Sequence, residues 1–150
     1  MSTKADPTVQ KLLSEALDAS KAWMNGDGKP YTELMAHTPE FTIFGPFGGT
    51  PPAGWTDNSA RMQAATAAQF QGGTSTIELV QAYVAHDIIV LAMIERSTVK
   101  FRGQESTRRW DLRTTQVYRR EGTQWKIVHR HAEPLIAPRN LEQTLQLLPP

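Results

Sequence analysis

The chain contains no cysteine, which excludes a disulfide scaffold, a thiolate zinc site, an iron–sulfur cluster and a cysteine nucleophile together. No stretch approaches about 18 uninterrupted apolar residues, and the segment before Pro7 lacks the apolar core of a signal peptide. A soluble, cytoplasmic protein with no membrane partner is expected. Excess charge is also missing: 16 basic and 15 acidic side chains leave a formal +1, so bulk electrostatics point to no polyanionic partner. Gly45, Gly48 and Gly49 lack the spacing of a dinucleotide or phosphate loop, and no Gly-Lys-Ser/Thr occurs. Ser14, Ser20 and the other serines have no nucleophile-elbow context. No cofactor is expected. What is present is 150 residues, 39% of them hydrophobic, enough to fill one core, so a single domain over 1–150 is expected.

Val9, Leu12, Leu13, Ala16, Leu17, Trp23 and Met24 recur at spacings of three and four with charges between them, which predicts an amphipathic helix from Pro7 to Met24. Asp6-Pro7 marks its start and the Asn25 to Gly28 segment its end. A short helix is predicted over 31–36, a strand over 41–44, a Gly/Pro loop over 45–52, and a helix over 57–70. That last helix would be capped by Thr56 or Asp57, with Met62, Ala65 and Phe70 buried. After Gly72-Gly73, β-branched and aromatic residues with period-two alternation predict strands at 75–85, 88–101, 107–120 and 124–133. Short turns between them make antiparallel neighbours. A short helix is predicted to close the tail within 140–148. This order describes an α+β domain: a cone-shaped, strongly curved, mostly antiparallel sheet wrapped around N-terminal helices. An apolar outer sheet face would call for a homodimer packed through the sheet.

The run Thr115 to Pro134, TQVYRREGTQWKIVHRHAEP, closely resembles the last hairpin of SnoaL-like domains in the nuclear transport factor 2-like (ketosteroid isomerase-like) superfamily. The segment Phe44 to Gly49, followed by Gly54-Trp55 and a helix, fits the same families. The resemblance implies the cone-shaped fold. It leaves the activity open among isomerases, cyclases, dehydratases, hydrolases and non-catalytic modules. The hairpin is also similar to the association domain of calcium/calmodulin-dependent kinase II. The arginines that line that domain's pocket fall here at Glu95, Gln116 and Ala132, and its helix histidine near Asn58. Its anion pocket is therefore not implied, and the cyclase-like and isomerase-like branch is preferred. No local motif places the carboxylates and tyrosine of ketosteroid isomerases on this chain.

Glu95 interrupts the apolar run Ile88 to Ile94 and shares parity with Ile89, Leu91 and Met93. Facing an apolar cavity, it would hold its proton more tightly and suit general acid/base work. The plainer alternative is a buried ion pair or a strand end reaching solvent. On the last strand neither parity is purely apolar. Alignment places Val128, Arg130 and Ala132 inward, so that Arg130 pairs with Glu95 or binds an anionic group. The opposite parity would instead bring His129 and His131 to the cavity as proton-transfer candidates. These two could also ligate a metal, but a third ligand is not evident and no metal is expected. Trp55 and Asn58, at the loop–helix junction, are candidate rim residues, with capping or core packing as the alternative. Met93, Trp110 and Gln116 are candidate ligand contacts, the last as one orienting hydrogen bond. Residues 96–130 hold ten basic side chains against Glu105, Asp111 and Glu121. Because the arginines alternate between faces, a solvated surface is expected rather than a nucleic-acid site.

The resulting expectation is a cofactor-independent acid/base enzyme acting on a small hydrophobic substrate. Its alternative is a non-catalytic ligand-binding or oligomerisation module.

Overall fold

The computed structural model describes residues 2–150. Helix α1 (Pro7–Met24) is followed by α2 (Lys29–Leu34), β1 (Thr42–Phe44), α3 (Ser59–Ala67), β2 (Phe70–Val84) and β3 (Ile88–Phe101). Then come β4 (Arg108–Arg109), β5 (Leu112–Glu121), β6 (Gln124–Pro134) and α4 (Leu141–Leu145). The start of α1 is as predicted: the Asp6 carboxylate accepts from the Thr8 and Val9 amides, and Pro7 occupies the first turn.

The six strands form one open, curved sheet in the order β1-β6-β5-β3-β2, with β4 beside β3. All pairings are antiparallel except β1 with β6. Helix α1 lies against β2 on the inner face, where Val9, Leu12 and Ala19 join Ile89, Leu91, Met93, Tyr118 and Ile127 in the main core. Burial of each large side chain there contributes about 1.5–3 kcal/mol.

Three departures from the predicted elements have physical causes. Strand β2 begins at Phe70, not beyond Gly72-Gly73, because these glycines lie within the strand. A Cβ on Gly73 would sit 2.4 Å from the Thr98 carbonyl oxygen, so the close backbone approach demands glycine. The predicted strand over 107–120 divides into β4 and β5 because the Asp111 carboxylate takes the Ser97 amide proton, a role the ladder would give to the Trp110 carbonyl. Helix α3 is shorter than predicted, and Met62, on the wall of an open cavity, and Ala65 are exposed instead of buried.

The inward parity on β3 (Ile89, Leu91, Met93, Glu95) and β5 (Leu112, Thr114, Gln116, Tyr118) is as expected. On β6 it is not continuous. Val117 pairs with His129 and Tyr118 with Ile127, leaving Val128 as an extra residue in a β-bulge. Ile127 therefore faces inward where Val128 was expected, while Arg130 and Ala132 still face inward beyond the bulge. The β2–β3 pairing has two further register shifts, one between Phe70 and Gly73 and one that leaves Val80 unpaired.

Candidate functional site

The inner face of the sheet, the helices and the 45–52 loop enclose a cavity of about 700 Å³. Its walls are largely apolar, with Trp23, Met24, Phe41, Phe70, Trp110 and Leu112 among them. Phe47 stands at the mouth, 69% exposed. The buried charged groups inside are Glu95 from β3 and Arg130 from β6, only 4% and 9% exposed; the partly exposed Glu133, paired with Arg113, also lines the cavity. Their strands are separated by β5, so the two long side chains reach across the hollow of the sheet.

The pair is bidentate. Arg130 Nη1 donates to Glu95 Oε1 and Nη2 to Oε2, each at 2.8 Å, the planar fork geometry that favours arginine over lysine. Nη1 also lies 2.7 Å from Gln116 Oε1 and 3.1 Å from the Tyr31 hydroxyl. Tyr31 donates to Gln116 Oε1 at 2.6 Å, and Gln116 Nε2 donates to the Tyr118 hydroxyl at 2.6 Å. The guanidinium carbon stands 5.1 Å from the centre of the Tyr31 ring, a cation–π contact. Burial alone would ease Arg130 toward neutrality, but the charge and hydrogen bonds of Glu95 outweigh it and raise its pKa overall. Among the described residues, Nε and the second proton of Nη2 have no protein acceptor and are free to meet a ligand.

Burial, partly opposed by Arg130, holds the Tyr31 hydroxyl above the ordinary 10.0. Burial, reinforced by Tyr31, does the same for Tyr118. Both phenols are thus favoured neutral in the folded state, and the stability this confers is present below pH 10.0 and lost as the pH rises past it. Alkaline titration followed by tyrosinate absorbance should show two of the three tyrosines ionising only together with loss of far-UV dichroism. Ionisation of all three in the native protein would contradict a sealed floor.

A second polar element is a chain of buried hydroxyls. Ser97 Oγ donates to Ser75 Oγ at 3.2 Å, and Ser75 Oγ lies 2.6 Å from Ser20 Oγ. If Ser20 were the donor to Ser75, the buried Ser75 proton would have no acceptor. The chain therefore runs Ser97 to Ser75 to Ser20, and the Ser20 proton is left for the cavity that Ser20 lines.

Of the residues singled out in the sequence, Glu95, Arg130 and Trp110 line the cavity, and Gln116 lies fully buried behind Arg130. Met93 is instead a core residue. Trp55 stacks on His37, ring centres 4.0 Å apart, and packs on Phe41 away from the cavity. Asn58 is exposed at the start of α3, bonded to Arg61 and making no side-chain cap. The bulge turns His129 and His131 to the opposite face from Arg130. There Phe44 meets both rings edge-on, Thr42 bonds His129 Nδ1 at 2.7 Å, and His131 reaches the cavity only at its rim. Burial, together with His131, lowers the His129 pKa. The position aligned with the association-domain histidine, Asn58, is thus outside the pocket, whereas Glu95, Gln116 and Ala132 are inside or just beneath it. Among the described residues no three His, Asp or Glu side chains converge as metal ligands.

Tyr31 and Ser20 were not anticipated as site residues. Tyr31 is 99 residues from Arg130 in the chain, and no local motif signals that contact.

A sequence model of the SnoaL-like domain matches residues 13–137. No curated protein matches the chain. Among solved structures, a nuclear transport factor 2-like superfamily protein from Salmonella enterica serovar Typhimurium is similar with TM-score 0.69, at 19% identity over 89% of this chain and 94% of that one. A proposed dehydratase of the same family from Streptomyces avermitilis gives TM-score 0.71, 20% identity, and coverage of 88% and 99%. The association domain of the C. elegans calcium/calmodulin-dependent kinase II gives 0.61, 14%, and 84% and 95%. No helix is long and apolar enough to cross a membrane among the described residues. With the family match spanning most of the chain, this protein belongs to the SnoaL-like domain family, and its curved open sheet is the fold of the nuclear transport factor 2-like structures it resembles.

Proposed function

We propose that the cavity binds a small, mostly apolar molecule bearing an oxygen function, and that Glu95 transfers a proton on it without a cofactor. The observation that carries this reading is a single buried carboxylate–guanidinium pair on the floor of a largely apolar chamber. The bidentate contact with Arg130 holds the Glu95 carboxylate in place as the base. As a proton moves from a carbon next to the ligand's carbonyl to Glu95, negative charge leaves the carboxylate and develops on the carbonyl oxygen. The free N–H groups of Arg130 can follow it there, so the compensating positive charge never has to be created or desolvated during the step. Ser20 supplies a second donor, which suits a ligand with two polar ends. Isomerisation, cyclisation and dehydration all draw on this proton transfer, and relatives of similar fold include a proposed dehydratase and a proposed ketosteroid isomerase.

The test is exchange of α-protons in heavy water across a panel of two- to four-ring ketones, read by NMR. Protein-dependent exchange of at least one member is expected. If none exchanges while neutral ligands still bind, the second reading, a non-catalytic binding module, takes its place. That reading is favoured by one observation: both Glu95 oxygens already have partners.

We place a homodimer at the outer sheet face, where Val90, Ala92, Ile94 and Val117 are only half-buried in the isolated chain. Sedimentation should give twice the 16.7 kDa chain mass. A monomer at micromolar concentration would rule this out.

A further inference from the structure

The basic residues of the sheet are not equivalent. Of the arginines between 96 and 130, six are ion-paired: Arg96 with Glu78, Arg109 with Asp111, Arg113 with Glu133, Arg119 with Glu40 and Glu121, Arg120 with Asp87, and Arg130 with Glu95. Arg102 and Arg108 have no carboxylate partner among the described residues, and both line one cleft of about 420 Å³. Glu105, in the loop between them, does not line that cleft. Both backbones are fixed: the Arg102 amide donates to the Gln69 carbonyl at 2.8 Å, and Arg108 pairs with Val99 in the ladder.

The rest of the cleft is formed by Gln69, Gln104, the ion-paired Arg109 and four aromatic side chains. Phe70, Phe101 and Trp110 pack with ring centres 4.9–5.6 Å apart, and Phe47 leans on Trp110 at 5.9 Å. Phe47, Phe70 and Trp110 also wall the main cavity, so the two spaces share one aromatic partition at the mouth. Two guanidiniums without carboxylate partners thus stand in a cleft beside that partition, and a guanidinium carries the forked donors that recognise an oxyanion.

We infer that Arg102 and Arg108 form an anion subsite, and that the natural ligand is an anionic amphiphile carrying a carboxylate, sulfate or phosphate group outside the cavity. This rests on the main cavity being the ligand site, and the experiment separates the two statements. The probes are 1-anilinonaphthalene-8-sulfonate and N-phenyl-1-naphthylamine, which share one aromatic body and differ by the sulfonate. The wild type should bind both and prefer the sulfonate, with a preference that shrinks at high salt. The Arg102→Gln/Arg108→Gln variant should bind the sulfonate about tenfold more weakly and the neutral probe as before. Decanoate and decyl phosphate then serve as competitors. The one whose displacement weakens more in the variant identifies the headgroup class. Equal binding of the sulfonate by wild type and variant overturns the subsite and leaves the cavity reading intact. Failure of the wild type to bind either probe overturns both.

Discussion

Replacing Arg130 with methionine should cost about 3–5 kcal/mol of unfolding free energy at neutral pH, the largest effect expected of any single substitution at this site. The loss is not the worth of the ion pair. It is the cost of leaving the Glu95 carboxylate, 4% exposed, without the two hydrogen bonds that compensate its desolvation. Gln116 and the Tyr31 hydroxyl would lose a donor at the same time. Combining the change with Glu95→Leu removes both charges and should recover most of the loss. Urea denaturation of the wild type, both single variants and the double variant measures the coupling. A single variant within about 1 kcal/mol of the wild type, the range of exposed ion pairs, would show that the pair is hydrated and the floor open.

Glu95→Gln should lower α-proton exchange by about a thousandfold, within the range of a positioned general base. It should leave binding of the neutral naphthylamine probe within a few-fold. Glutamine keeps the shape and can still accept from Arg130, but it cannot take a proton. It also leaves the guanidinium charge uncompensated, so the variant must first be shown to be folded by far-UV dichroism. Arg130→Lys gives an independent reading, because one ammonium cannot serve both carboxylate oxygens and the ligand oxygen at once. It should lower exchange while retaining the positive charge. Undiminished exchange in Glu95→Gln would remove Glu95 as the base.

Much of this architecture is legible in the sequence because its determinants are local. The α1 stripe, its Asp6-Pro7 start and the alternation in β3 and β5 are all short-range patterns, and they suffice to send Glu95 and Gln116 inward. The hairpin that resembles SnoaL-like domains supplies the rest of the fold. What escaped depends on contacts across the chain. Tyr31 becomes a site residue only because α2 folds over β6. Trp55 and Met93 are apolar residues whose membership of core or cavity wall is decided by packing. The two histidines, for which the sequence leaves both parities open, turn on a different feature. Period two carried on from Trp125 and Ile127, both on the inner side, would have brought His129 and His131 into the cavity, and the single unpaired Val128 sends them to the other face.

Val80 and Val128 fall in β2 and β6, which flank β3 and β5 on either side. Each lengthens its own strand by one residue relative to the neighbour it pairs with. A sheet whose flanking strands are longer than its middle must crease, as a cloth does when its borders are cut with extra length. The depth of the chamber is thus written as a residue count rather than in residue types. It changes in whole steps, one amino acid at a time, and side-chain substitution can refine the chamber's lining without altering that step.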